Sequence, residues 1–225
     1  MLEVGAGAGH ATIPIIELGA HVTAIEPGRN LAHELLDSAA ARNVQHRLRI
    51  INSTFEDADV EESAFDLVVA ATAFHWVDPK VRMVKSAFAL RDHGWLAVWS
   101  NRYGDPERPD PFHEAIRPLI ERYAPELDSG GDARMERQAR ETGSRDAPGS
   151  SEFDDVEEYI FRWEGRHDPQ QIRALFSTFS GWAALAVERR EPLLDALERL
   201  ARERFGGIVV RPYRTVLQLR RRKSR

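Results

Sequence analysis

The fold prediction for this chain of 225 residues rests on one stretch, Leu2-Glu3-Val4-Gly5-Ala6-Gly7-Ala8-Gly9. A short apolar strand leads into a G-x-G-x-G turn, and a helix is predicted over residues 10–18. Glycines between a strand and a helix let a ligand come close to the backbone. The stretch therefore predicts a ligand-binding loop, without yet choosing the ligand.

The spacing of the glycines bears on which ligand this is. A dinucleotide fingerprint has its third glycine one position later, where this chain has His10. The tighter turn leaves less room for a pyrophosphate above the start of the helix, so it favours a ligand without a phosphate. A nicotinamide-dependent oxidoreductase remains the alternative, because it shares the strand–turn–helix unit.

Strand and helix patterns alternate through the first hundred residues. Four further apolar runs predict strands at residues 21–25, 48–51, 65–71 and 95–100. Helices are predicted after Asn30, as a capping residue, and at residues 81–90, which lead through a turn at 92–94 into the fifth strand. This alternation predicts a parallel sheet with right-handed crossovers and helices on both faces.

The second half of the chain has a different pattern. Residues 126–151 hold little that can form a core and are predicted to be a mobile loop or lid. Around this segment, helices are predicted at residues 112–123, at 169–179 and near 193–200, and strands at 158–166 and at 208–219, the last broken by Pro212.

Two acidic residues lie where a ligand would need them. Glu26 ends the second strand, 17 residues after Gly9, and a carboxylate there can accept hydrogen bonds from ribose hydroxyls. The alternative is that Glu26 has only a structural role at the start of the Pro-Gly turn. Glu3 lies inside a predicted buried strand, where a carboxylate is costly unless it is paired. A ligand ammonium is one available partner.

Composition excludes several classes of protein. The chain has no cysteine, so it holds no disulfide scaffold, thiolate zinc site or cysteine nucleophile. A net charge of −5 argues against general polyanion binding, and the basic tail at residues 220–225 is predicted to be a solvated end. The sequence contains no evident metal-ligand cluster, and His10, His113 and His167 are predicted to be superficial. We therefore expect neither a metal nor a nucleic acid as a partner.

Hydropathy bears on location. No apolar run approaches the ~20 residues that span a bilayer, and no basic stretch precedes an apolar one at the start of the chain. We expect a cytoplasmic protein without a membrane partner, and no pattern indicates an oligomeric state.

Three motifs, in this order, resemble class I S-adenosylmethionine-dependent methyltransferases: residues 2–9, residues 23–27 and residues 65–76. The third motif ends in a His-Trp pair similar to the one that type 11 small-molecule methyltransferases carry after the fourth strand. Residues 177–180 and 211–215 also resemble bacterial members of that group.

This resemblance implies an α/β fold with a doubly wound, mostly parallel, seven-stranded Rossmann-like sheet and helical cap elements in the C-terminal half. Residues 1–105 would form the cofactor-binding core, 106–157 a mobile loop or cap over the acceptor site, and 158–225 the elements that complete the sheet. Family members usually carry helices before the first strand, which this chain lacks. We therefore expect weaker cofactor binding than in a version extended upstream, and a non-catalytic relative remains an alternative.

The resemblance also implies S-adenosylmethionine as the cofactor. Its methionine part would lie against the loop that contains Gly5, Ala6, Gly7 and Gly9. Glu3 would lie near its amino group.

The adenosyl part of the cofactor would meet the ends of the next strands. Glu26 would hold the ribose hydroxyls. Thr54 stands where the family usually has an acid for the adenine amino group, so adenine recognition would rest on backbone groups and on Phe55, whose alternative is core packing. Ala71 and Thr72 would pass beside the methyl-bearing sulfur.

The methyl acceptor is expected to be a small molecule that lies beyond this strand. His75 and Trp76 are the substrate-side candidates. His75 is the one candidate catalytic residue, as a base if the acceptor must lose a proton, and its alternatives are orienting the acceptor or packing. Methyl transfer otherwise needs positioning and exclusion of water.

Overall fold

The computed structural model describes residues 1–127 and 149–224, apart from the side chain of Ser180. Seven strands form one sheet in the order β3-β2-β1-β4-β5-β7-β6. The strands are β1 (Leu2–Val4), β2 (Val22–Ile25), β3 (Leu48–Ile51), β4 (Phe65–Ala71), β5 (Leu90–Tyr103), β6 (Glu157–His167) and β7 (Val209–Arg221). Strands β1 to β5 pair in parallel, which confirms the predicted mostly parallel seven-stranded sheet.

Seven helices connect these strands within the described ranges. They are α1 (Thr12–Glu17), α2 (Arg29–Ala41), α3 (Arg82–Ala89), α4 (Pro111–Tyr123), α5 (Pro169–Ser177), α6 (Ser180–Ala183) and α7 (Val187–Arg204). Short 3-10 turns lie at Gln45–Arg47, Phe74–Trp76 and Ser150–Glu152. None of the described helices is both long and apolar enough to cross a bilayer.

The described chain divides into two compact units. The first contains residues 1–100, 149–159 and 216–224, and the second contains residues 101–127 and 160–215. Most of the segment predicted to be a mobile lid, residues 126–151, lies outside the described residues. Its role over an acceptor site stays a prediction.

The first unit buries its strands on both faces. In β2, Val22 and Ala24 pack with α1 and α2, whereas Ile25 packs into a second cluster that includes Met83 of α3. Successive side chains of a strand point to opposite faces, so this division follows from the pleat. Leu2 of β1 belongs to the cluster of Ile25, which turns the next residue, the acid at position 3, towards the opposite face.

The second unit has its own core, formed by α4, α5 and α7. Phe112, Ile172 and Leu193 are each fully buried there. Two aspartates begin these helices: Asp110 accepts a hydrogen bond from the backbone of α4, and Asp168 forms a capping box in α5. This unit therefore has the buried core and capped helices of a stable packing unit.

The predicted turn at residues 92–94 is wrong, because β5 begins at Leu90. The register with β4 shifts here, so that the residues between Leu90 and Trp95 form a bulge. The amide of His93 donates to the carbonyl of Arg222, and the Arg222 amide donates to Gly94. Pairing with the end of β7 thus holds the strand together where its own sequence indicates a turn.

The basic tail is not the solvated end that its charge predicts. Arg220 and Arg222 are buried, and the Arg222 guanidinium donates to the carbonyl of Leu90 at 2.7 Å. Pro212 does not break β7 either, since the Pro212 carbonyl accepts a hydrogen bond from Gly104 at 3.0 Å. The tail extends the sheet, so the sheet's hydrogen bonds outweigh the local composition.

Asn30 does not cap α2, contrary to the prediction. The helix begins at Arg29 with Gly28 as its N-cap, and it has no side-chain cap. The helix therefore starts two residues earlier than predicted, directly after the Pro-Gly turn, in which the Gly28 amide donates to the Glu26 carboxylate.

Candidate functional site

The candidate site lies at the carboxyl ends of β1 and β4. The strand order reverses direction between these two neighbours, and open α/β sheets bind ligands at such a switch point. The loop after β1 and the loop after β4 touch, because a Cβ atom placed on Gly5 would lie 2.5 Å from the Cβ of Ala73. Only glycine fits there.

The loop after β1 is held by backbone hydrogen bonds and is open on one side. Gly5 and Ala6 donate to the carbonyl of Ile25 at 2.9 and 3.2 Å, and Gly9 donates to Ala6 at 3.1 Å. Gly7 has a positive φ of 57°, and no described atom lies within 4 Å of a Cβ placed on it. A ligand can therefore approach the backbone at Gly7.

Glu3 is a buried acid at the foot of this loop. Its exposed fraction is 1%, and neither carboxylate oxygen has a hydrogen-bond partner among the described residues. Burial raises the pKa of Glu3 to about 7. The nearby Thr12 hydroxyl opposes part of this rise, although it does not meet hydrogen-bond geometry with the carboxylate. A buried acid in this state is poised to receive a cationic group.

Glu26 is also buried, but its carboxylate is partnered. One oxygen accepts from the amide of Gly7 and the other from the amide of Gly28, both at 2.8 Å. Each carboxylate oxygen can accept a second hydrogen bond, so both retain an acceptor site for ligand hydroxyls. The amides fix the carboxylate beside the open side of the loop.

The contacts that the structure shows for Thr54 and Phe55 are with other residues of the chain. The Thr54 hydroxyl donates to Asp57 at 2.9 Å, and Asp57 donates its amide back to that hydroxyl. Phe55 is buried in the hydrophobic core, with the Lys85 ammonium 5.5 Å from its ring centre. This is the core-packing alternative, and the adenine role of both residues stays a prediction.

Strain marks the loop after β4. Ala71 ends the strand, and the exposed Thr72 adopts a φ of +56°, which is uncommon for a β-branched residue. Its amide donates to the carbonyl of Trp99 on β5 at 2.8 Å, so pairing with β5 holds the strained residue in place. Strained residues of this kind cluster at ligand sites.

His75 and Trp76 form the 3-10 turn that follows. Their ring centres lie 4.9 Å apart, and the Trp76 side chain is 82% exposed. Partial burial, and secondarily the Arg82 guanidinium, lower the pKa of His75. Both effects favour the neutral imidazole, which is the form that a base must have before it takes a proton.

Two groups outside the predicted set also matter to this region. Asn52, directly after β3, donates to the carbonyls of Glu26 and Pro27, and Lys85 donates to the carbonyls of Glu56 and Ala58. The sequence signal that could have identified Asn52 is its position as a polar residue directly after a strand of the sheet.

The prediction that His167 is superficial is wrong. Its Nε2 lies 2.8 Å from the Tyr213 hydroxyl, and the ring is half-buried in the second unit. Tyr213 in turn stacks on Trp163 at 4.4 Å between ring centres. The contact comes from a neighbouring strand, which no local pattern around residue 167 indicates.

The residues of the first unit fit an adenosyl amino acid. The Glu3 carboxylate lacks a hydrogen-bond partner among the described residues, and an ammonium group could supply one. Glu26 retains acceptor sites that would suit a ribose diol, and the Gly7 backbone beside it is open to a ligand. The arrangement can therefore bind and orient such a ligand at the switch point, with His75 available to hold or accept a proton.

Comparisons with known proteins show similarity to methyltransferases. A family model described as "Methyltransferase domain", of type 11, matches residues 2–98. An uncharacterized methyltransferase of Mycobacterium tuberculosis is 31% identical over 143 residues, 54% of this chain and 56% of the relative. A Saccharomyces cerevisiae protein named "Probable S-adenosylmethionine-dependent methyltransferase" is 27% identical over 117 residues, 52% of this chain and 39% of the relative. The match thus spans about half the length of the mycobacterial relative and less of the yeast one.

A solved structure shares the fold. It is assigned as a type II methyltransferase from Anaeromyxobacter dehalogenans, with a TM-score of 0.61 and 21% identity, and the alignment covers 99% of this chain and 88% of that chain. Motifs, sheet order and family model coincide on the first hundred residues. Residues 2–98 are therefore similar to methyltransferase domains of type 11.

Proposed function

We propose that this protein binds S-adenosylmethionine and transfers its methyl group to a small-molecule acceptor. The observation that carries the proposal is the state of Glu3, a carboxylate with 1% exposure and no hydrogen-bond partner in the described part of the chain. Leaving an acid in this state opposes folding, so its presence beside a glycine loop is explained best by a cationic ligand.

Each part of the ligand has a matching group in the first unit. Glu3 would lose its proton and accept hydrogen bonds from the α-ammonium. Glu26 would accept hydrogen bonds from the ribose hydroxyls on the lone pairs that the amides of Gly7 and Gly28 leave open. The backbone at Gly7, whose amide donates to Glu26, is open to the ligand.

The bound sulfonium supplies an electrophilic methyl carbon. What the protein adds is orientation, exclusion of water and, where the acceptor must lose a proton, a base. Burial lowers the pKa of His75 and so favours its neutral form, and we propose that this ring takes the proton. The exposed Trp76 ring beside it offers an apolar surface that an acceptor can cover.

Charge favours a small molecule over a nucleic acid as the acceptor. The net charge is −5, and two arginines of the basic tail, Arg220 and Arg222, are buried in the sheet rather than displayed to a polyanion. Arg222 donates to Leu90. These two buried guanidinium groups are not accessible to a phosphate backbone.

Calorimetry with S-adenosylhomocysteine and with NAD tests the cofactor. We expect the wild type to bind the homocysteine compound and not NAD. We expect Glu26→Gln to weaken binding at least tenfold, since a hydrogen bond to a charged group contributes about 1.5–3 kcal/mol. Glu34→Gln, an exposed acid on α2, is the matched control and should bind like the wild type. Uptake of NAD alone would favour the oxidoreductase alternative and overturn the proposal.

A second assay separates an enzyme from a binding protein. The wild type is incubated with radiolabelled S-adenosylmethionine and a metabolite extract, and label transferred to small molecules is counted. We expect transfer, and we expect a lower rate with His75→Ala if the acceptor must lose a proton. Binding without transfer to any acceptor would support the non-catalytic alternative.

A further inference from the structure

We propose that Asn52 is a positioning residue, which makes the site selective for a ligand with ribose hydroxyls by holding Glu26 in place. This inference rests on the proposed function. It is carried by hydrogen bonds that join the end of β3 to the turn after β2.

One side chain satisfies two consecutive carbonyls in this turn. Nδ2 of Asn52 donates to the carbonyl of Glu26 at 2.8 Å and to that of Pro27 at 3.1 Å. A primary amide has two N–H donors on one nitrogen, which matches two carbonyls that face the same point. An aspartate of the same shape would instead present oxygen atoms to both carbonyls.

The turn that Asn52 holds is the turn that aims the Glu26 carboxylate. The Glu26 amide donates to Ile51 at 3.1 Å, so residue 26 is tied to β3 through its amide and its carbonyl. Its side chain then bends back to accept from Gly28 and across to accept from Gly7. Both carboxylate contacts depend on the course of the chain through Pro27.

The consequence is a division of labour between two side chains. Glu26 provides acceptors for the ribose hydroxyls, and Asn52 keeps those acceptors pointing at one place. Without Asn52, the turn at Pro27 loses two hydrogen bonds, and Glu26 can adopt other rotamers. The loss should therefore appear in the recognition of the hydroxyls and not in binding of the rest of the ligand.

The test compares two ligands by calorimetry on the full chain: S-adenosylhomocysteine and its analogue that lacks both ribose hydroxyls. We expect the wild type to prefer the former, and Asn52→Ala to weaken it about tenfold while leaving the analogue within twofold. Asn52→Asp keeps the shape and loses both donors, and it should behave in the same way. Asn30→Ala, an exposed asparagine on α2, is the control and should change neither affinity.

A double variant guards against a general loss of structure. In the background of Glu26→Gln, Asn52→Ala should change the affinity for S-adenosylhomocysteine less than twofold, because the group through which it acts has been altered. Equal weakening of both ligands, or an unchanged preference in the single variants, would overturn the inference and leave the proposed function intact. Failure of the wild type to bind S-adenosylhomocysteine would overturn both.

Discussion

The two units of the molecule treat buried acids in opposite ways. In the second unit, the side chain of Asp105 is fully buried and pairs with Arg162 at 3.0 Å, and Asp110 accepts two hydrogen bonds from Arg211 at 2.9 Å each. In the first unit, Glu3 is equally buried, and within the ranges that the structure describes it has no such partner.

The difference teaches how to separate a structural acid from a functional one. A paired buried acid is a part of the fold, and removing its partner leaves an uncompensated charge that costs several kcal/mol. An unpaired buried acid already destabilises the ligand-free protein. A ligand that supplies a cation to this acid removes the penalty, and its binding becomes more favourable by that amount. Removing the partner of a paired acid and neutralising the unpaired Glu3 should therefore change the free energy of unfolding in opposite directions.

The largest effect is expected from breaking a pair in the second unit. Arg211→Met keeps much of the bulk near Tyr103 and Phe176 but leaves Asp110 without its cation. We expect the free energy of unfolding in urea to fall by about 3–5 kcal/mol. Arg202→Met breaks an exposed pair and is the matched control, with an expected loss below about 1 kcal/mol. If the free energy of unfolding fell equally in the two variants, the buried pair of Arg211 and Asp110 would stabilise the protein no more than an exposed pair, and the contrast with Glu3 would fail.

The converse effect is expected at Glu3. The folded-state pKa of about 7 lies above the reference value of 4.5, so ionisation opposes folding as pH rises through this window. Glu3→Gln mimics the protonated acid, and we expect it to stabilise the ligand-free protein by up to about 3 kcal/mol at pH 8. The gain should shrink below pH 7 and vanish near pH 4.5.

Urea unfolding at a series of pH values measures this effect, with Glu26→Gln as the control. Glu26 is buried in the same unit but accepts two amide hydrogen bonds, so its substitution should destabilise the protein. Glu3→Gln should also weaken binding of S-adenosylhomocysteine while it stabilises the chain. A loss of stability in Glu3→Gln at pH 8 would show that Glu3 makes a stabilising contact, and the contrast between the units would fail.

Local pattern accounts for much of the first unit. The bounds of the strands at residues 48–51 and 65–71 were predicted to the residue, because mainly apolar runs between turns are typical of strands in a parallel sheet. Three residues of β4 are buried, whereas β3 lies at the edge of the sheet and has no buried residue. The burial of Glu3 also follows from its place between two apolar residues of such a strand. These features depend on neighbours in sequence.

Features that depend on distant partners were missed. The bulge after Leu90 and the burial of Arg222 arise together from strands about 130 residues apart, and the bond between His167 and Tyr213 joins two strands of the second unit. The sequence likewise does not tell whether an acid is paired, since the partner of Asp105 lies 57 residues away. Asn52 was missed for the same reason, since its hydrogen bonds go to two carbonyls in the turn after β2.

The smallest effect is expected at Thr72, where the first unit carries backbone strain. A left-handed conformation costs a side-chain-bearing residue about 1–2 kcal/mol, and glycine in its place costs about 0.5–1 kcal/mol of chain entropy. Thr72→Gly should therefore raise the free energy of unfolding by about 0.5 kcal/mol, measured as a shift of the urea midpoint at constant slope. Thr178→Gly in the second unit, at an ordinary φ of −83°, should lower it by about 1 kcal/mol. If both variants lose stability alike, the backbone conformation of Thr72 does not destabilise the protein. The difference between the two units then rests on their buried acids alone.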